Sequence, residues 1–181
     1  MRTLPIVLLV ACSTPLPVGH VVDDVSAPVP FTTEQLRAHN IVGHTMVFRV
    51  DSTSASPMRR TMRFAEVDDE GAWIESTVGA WEDDPSLVDT TRSYSTWAEL
   101  QRHAAYPAEW TTRTWSKVTL PEGTVRCVLY TVTESEDRST EACFDLDRPG
   151  PPVHMLQRVG DEPQFSMTLQ SVQATEPSGA P

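Results

Sequence analysis

The chain has 181 residues, a net charge of −11 and 39% hydrophobic residues. That length suits one ordinary domain rather than two, and the apolar content excludes a disordered chain. So acidic a surface repels nucleic acid, and no nucleic-acid partner is expected.

The amino terminus places one cation, Arg2, before an apolar run over residues 4–11 that ends on the small Ala11. This is the layout of a secretory signal peptide, 1–11, and it is far short of the roughly 20 residues of a membrane-spanning helix. Leu9-Val10-Ala11-Cys12 resembles a bacterial lipobox. The resemblance implies cleavage before Cys12, lipid attachment at Cys12, and the membrane as a partner through that N-terminal lipid anchor. Ser13 after the cysteine, rather than an aspartate, implies the outer membrane, with the domain in the periplasm or at the cell surface. Loss of Arg2 with the leader takes the net charge to −12. Residues 12–30 then read as the anchor cysteine and a Pro-rich linker. At about 3.1 Å per residue, such a linker holds the domain roughly 50 Å from the bilayer.

A folded domain is expected over 31–173. Thr32 and Gln35 have capping-box spacing, which predicts a short helix to about Asn40. After Gly43 the period changes to two: Met46, Phe48 and Val50 alternate with Thr45, Val47 and Arg49 in a half-buried strand. Residues 52–57 read as a turn cluster. Met62 and Phe64 alternate in the next strand, Asp68-Asp69-Glu70-Gly71 fits a type I turn, and Ala72, Ile74 and Val78 continue the sheet. Thr96 and Glu99 repeat the capping-box spacing for a second helix to about Ala105, stopped by Pro107. Strands follow over 110–120, 125–133, 141–146, 153–159 and 164–172. Pro121-Glu122-Gly123 makes one turn among them, and Arg148-Pro149-Gly150-Pro151 fits a type II turn with Gly150 third. Hairpin succession with one-sided alternation predicts a mainly β fold: a curved antiparallel sheet, half-barrel or barrel-like, of about eight strands covered by two short helices. Residues 174–181 read as a flexible tail.

With Cys12 taken by lipid, Cys127 and Cys143 remain as an even pair in an exported protein, which predicts one disulfide. The two lie symmetrically about Ser135. A hairpin centred there sets them directly opposite each other on one face, at a spacing a disulfide accepts.

Three stretches carry a further resemblance: Trp97-Ala98-Glu99-Leu100 with His103-Ala104-Ala105-Tyr106-Pro107, then Cys127-Val128-Leu129-Tyr130-Thr131-Val132, then Pro149-Gly150-Pro151-Pro152-Val153. They are similar to segments of uncharacterised predicted lipoproteins of myxobacteria. The element order over 31–172 resembles the lipoprotein-carrier (Lol-type) half-barrel superfamily. That resemblance implies a curved sheet plugged by helices, in which an acyl chain can be held, and it assigns no functional residue. A closed lipocalin-like barrel fits the strand count nearly as well.

Trp73, Trp97, Trp110 and Trp115, with Trp81, form the most distinctive set. Tryptophans suit the lining of an apolar-ligand site, and they equally suit a core. His39 and His44 are five apart across a helix end, off the spacing that aims two imidazoles together, and surface histidines are expected. No zinc, calcium, nucleophile-elbow or phosphate-loop pattern is present, so no metal, no cofactor and no catalytic residue is assigned. Asp68-Asp69-Glu70 and Glu82-Asp83-Asp84 read as solvated turns. Arg59, Arg60 and Arg63 make a small basic spot, with Glu66 or Glu75 as the expected partner. The function expected is an envelope lipoprotein with a non-enzymatic domain that binds an apolar ligand or another envelope protein. The alternatives are a structural or partner-binding module with a solid core, and a hydrolase with an unrecognised site.

Overall fold

The computed structural model describes residues 15–16, 19–82, 88 and 90–173. The leader 1–11, the lipobox with Cys12, the tail 174–181 and most of the second acidic turn lie outside them. Both capping boxes form. Thr32 accepts from the Gln35 N–H while the Gln35 side chain accepts from the Thr32 N–H, which starts α1 (Thr33–His39). Thr96 and Glu99 do the same for α2 (Trp97–Arg102). Each box satisfies two backbone donors that a helix start otherwise leaves orphaned. The second helix ends before Ala105, because the Ala104 and Ala105 N–H groups donate to Gln101 and Arg102 in tighter turns.

The first four strands are β1 (Thr45–Ser52), β2 (Ala55–Val67), β3 (Gly71–Ala80) and β4 (Thr90–Thr96). After α2 come β5 (Thr111–Leu120), β6 (Gly123–Ser135), β7 (Arg138–Asp145), β8 (His154–Val159) and β9 (Glu162–Gln173). They form one antiparallel sheet in the order β4-β3-β2-β1-β9-β8-β7-β6-β5. β4 is the strand that apolar alternation does not reveal. It is an edge strand, Thr-Thr-Arg-Ser-Tyr-Ser-Thr, exposed over most of its length, so burial selected no apolar residue there.

The sheet curls without closing. β5 and β9 are four strands apart, about 19 Å in a flat sheet at ~4.8 Å per strand, yet residues of the two approach within 8 Å Cα to Cα. β4 and β5 are the two free edges, so the half-barrel is the architecture. α2 lies on the chain that crosses between those edges, and it packs on α1 and against β3 and β4. One face of the sheet carries Phe48, Phe64, Ile74, Val128, Tyr130, Phe144 and Leu169, all buried in one cluster with Leu36 of α1 and Trp97 of α2. Phe64 stacks on Trp97, and Phe144 meets both Tyr130 and Phe31 edge-on.

Two local expectations are corrected. Gly150 is not in the left-handed region, which is occupied by Gly43, Gly123 and Gly160, so residues 148–151 do not form a type II turn. Pro151 follows Gly150, and a residue before proline is driven toward extended backbone. The Cys127–Cys143 disulfide is present, but its cysteines are diagonal rather than opposed: Cys127 faces Asp145 and Cys143 faces Leu129. The hairpin turns at Glu136-Asp137, one residue beyond Ser135, with an irregularity near Ser135. A two-place slip keeps both cysteines on one face, and their Cα atoms are 5.6 Å apart, within the range a disulfide bridges.

The stretch 19–30, expected as linker, is part of the domain. Ala27 and Val29 are buried, and His20 and Val29 exchange backbone hydrogen bonds of 2.9 and 2.8 Å. The Ala27 N–H donates to the Tyr106 carbonyl, and the Tyr130 hydroxyl donates to the Pro28 carbonyl at 2.7 Å. The apolar side chains of Ala27, Val29 and Phe31 recur at period two, with prolines between them. The segment lies along the open side of the sheet as a strap.

Truncating Val29 to Ala removes two buried methyl groups at ~0.8 kcal/mol each, so denaturant unfolding should register a loss of about 2 kcal/mol. A free linker would register none. Reducing the Cys127–Cys143 bridge opens a loop worth about 3 kcal/mol in the chain-entropy model. Thermal unfolding with and without a phosphine reductant measures that loss, and non-reducing peptide maps should show both thiols blocked.

Candidate functional site

A cavity of about 90 Å³ lies where the two helices meet the sheet. Leu36 of α1, Leu100 of α2, Met62 and Phe64 of β2 and Phe144 of β7 give it apolar walls, and the loop 150–152 forms its rim. One polar side chain in that wall is distinctive. Asn40, the cap after α1, is 1% exposed. Its Nδ2 donates to the carbonyls of Leu36 at 2.8 Å and Pro149 at 3.0 Å. Those two bonds fix the amide orientation, and they leave Oδ1 as a buried acceptor without a partner. An unpaired buried acceptor costs about 1–3 kcal/mol, which the two Nδ2 bonds help to offset.

The tryptophans do not share that cavity. Trp97 is buried in the core, and its Nε1 donates to the Asp68 carbonyl. Trp73 lies on the other face of β3, edge-on to Tyr94 and under the Arg92 guanidinium. Trp110 is exposed at the end of a short 3-10 turn (Ala108–Trp110) before β5, and Trp115 donates to the Pro15 carbonyl. Trp81 sits between Arg49 and Arg59. Two wider surface grooves, of about 390 and 400 Å³, are open and charged, with Asp24 and Glu109 on one and Glu134, Arg138 and Arg158 on the other.

One histidine departs from expectation. His44 is buried, not on the surface, and its ring centre lies 5.1 Å from that of His39. The tight turn after α1, in which the His44 N–H donates to Ile41, brings together two rings that helical spacing would not. His44 also stacks on Phe64, and its Nδ1 has no partner. Among the described residues no group of three His, Cys, Asp or Glu side chains is placed to hold a metal ion. Arg63 pairs with Glu75 at 2.8 Å, as one of its two expected partners, while Glu66 pairs with Arg92. Asn40 was not legible as a site residue, since its position in the sequence marks only a helix end.

No protein-family model and no curated protein matches the chain. Among solved structures it is similar to MucB in complex with MucA(peri), with a TM-score of 0.52 and 11% identity over 77% of this chain and 53% of that one. It is likewise similar to MucB in another crystal structure, with a TM-score of 0.50 and 12% identity over 82% of this chain and 58% of that one. The chain thus spans a little over half the length of the proteins it resembles, and at this identity the likeness shows the fold alone.

Burial and then His39 hold His44 below the ordinary 6.5. Burial lowers His39 as well, aided by Arg148 and opposed by Asp145, and burial lowers His154 against Glu141. The folded chain therefore binds these protons less readily than the unfolded chain. Their contribution to stability is complete above about pH 6.5 and is lost as pH falls below it. The urea midpoint should drop between pH 7 and pH 5, and His44→Gln should flatten that dependence.

Proposed function

We propose that the chain is an envelope lipoprotein whose domain binds another envelope protein, taking one apolar side chain of that partner into the cavity beside Asn40. The observation that carries this reading is the cavity: apolar, about 90 Å³, and set where both helices meet the sheet. Small-molecule sites run to roughly 300–1,000 Å³, so an acyl chain has too little room. The face of the sheet where such a chain would lie is filled by α1, α2 and the strap 19–31. A protein partner needs no more than one seated apolar side chain. The MucB structure with MucA(peri) offers a precedent for a protein partner on this fold, at the level of fold only. Nothing in the site favours catalysis over binding.

A photo-crosslinking amino acid at Leu100, introduced into the full chain in its own envelope, tests the reading. One discrete protein adduct is expected, and Ala104→Met, which narrows the cavity, should reduce it at least fivefold. Adducts with lipid alone would transfer the site to an apolar ligand. No adduct, or one indifferent to Ala104→Met, would remove the cavity from the function.

A further inference from the structure

We infer that the end of the β5–β6 ladder where Lys117 and Arg126 are exposed beside Trp115 lies against anionic lipid headgroups of the membrane that anchors the chain. The inference rests on the proposed lipid at Cys12 and gives the anchored domain its orientation. The Trp115 indole donates to the Pro15 carbonyl at 3.2 Å, which ties the chain to β5 three residues after Cys12. At no more than ~3.6 Å per residue, the anchor cysteine is then within about 11 Å of that contact. A free linker of roughly 50 Å would have left the domain several Debye lengths away, at about 8 Å each. The strap removes that distance, and headgroup charge acts on whichever surface surrounds Pro15.

That surface is basic on an acidic protein. Arg126 lies over the Trp115 ring at 3.7 Å, and Lys117 is directly opposite Arg126 across the β5–β6 ladder. Two like charges opposed on one face of a sheet repel each other. Among the described residues neither forms an ion pair with a carboxylate, and the nearby turn residue Glu122 is engaged by Arg148 at 3.1 Å. An external anion relieves this repulsion. The lipid anchor supplies the affinity, and the two exposed cations set which end of the domain turns toward the membrane. The remainder of the surface, which carries the net negative charge, turns away from the same headgroups.

Lys117 is the only lysine in the chain, and an acylated amino terminus leaves it as the only reactive amine. Full-length lipoprotein would be added to preformed vesicles of phosphatidylcholine with phosphatidylglycerol, and Lys117 labelled with a water-soluble amine reagent. Labelling should be at least fivefold slower than in the soluble Cys12→Ser form, and Arg126→Glu should restore most of the rate while the protein stays bound. Labelling at the soluble rate on vesicle-bound protein would overturn the orientation and leave the anchor standing. Equal protection on phosphatidylcholine alone would overturn headgroup charge as the cause. Absence of lipid from the mass of the N-terminal peptide would instead overturn the lipoprotein reading beneath.

Discussion

The pairing of the first strand with the last governs this molecule. β1 and β9 are separated by more than a hundred residues, and their ladder joins two antiparallel meanders into a single sheet. Once they pair, β4 and β5, which are consecutive in the chain, must stand at opposite edges. The connection between them has to travel across the open face, and α2 is the covering element on that path. The ladder also sets which side chains reach the core. An irregularity between Val47 and Phe48 leaves Gln170 as an extra residue on β9, which returns Val172 to the side of Leu169 and Met167. A regular ladder would have turned Val172 to the other face.

A curled sheet of this width has one face to fill, and here the chain fills it from three sources. α1 supplies Leu36, α2 supplies Trp97, and the N-terminal strap supplies Ala27, Val29 and Phe31. The result is a solid core with a small residual space rather than a ligand chamber. What the packing leaves is a place where the two helix caps and the 148–152 loop converge. Asn40 holds that convergence together through the Leu36 and Pro149 carbonyls, and its own acceptor is what remains unanswered. The binding preference proposed for this site would thus be a by-product of joining a helix end to a loop.

The same strap changes the meaning of the amino terminus. Were residues 15–30 a free tether, the domain would behave as a soluble body at a distance, and its −11 charge would be its main electrostatic property. With residues 19–31 docked by backbone hydrogen bonds to Tyr106 and a side-chain bond from Tyr130, those residues are part of the domain rather than a tether. Charge then matters by face. Burial raises the Tyr130 hydroxyl to about 12, so the bond to Pro28 keeps its proton throughout the neutral range.

Short-range chemistry was legible in the chain itself. Thr32 with Gln35 and Thr96 with Glu99 start their helices because a capping box needs only four consecutive residues. Met46, Phe48 and Val50 announce a half-buried strand because side-chain alternation is a backbone property. The parity of Cys127 and Cys143 placed them on one face, but the turn at Glu136-Asp137 chose the register that makes them diagonal. β4 stayed hidden because an edge strand in water has no apolar pattern to display. The strap stayed hidden because prolines at 28 and 30 read as linker, while the burial of Val29 depends on Tyr106 and Tyr130 far along the chain. The open half-barrel, the dispersal of the tryptophans and the unpaired acceptor of Asn40 belong to the tertiary structure alone. Each depends on contacts between residues distant in sequence, whose geometry no local pattern encodes.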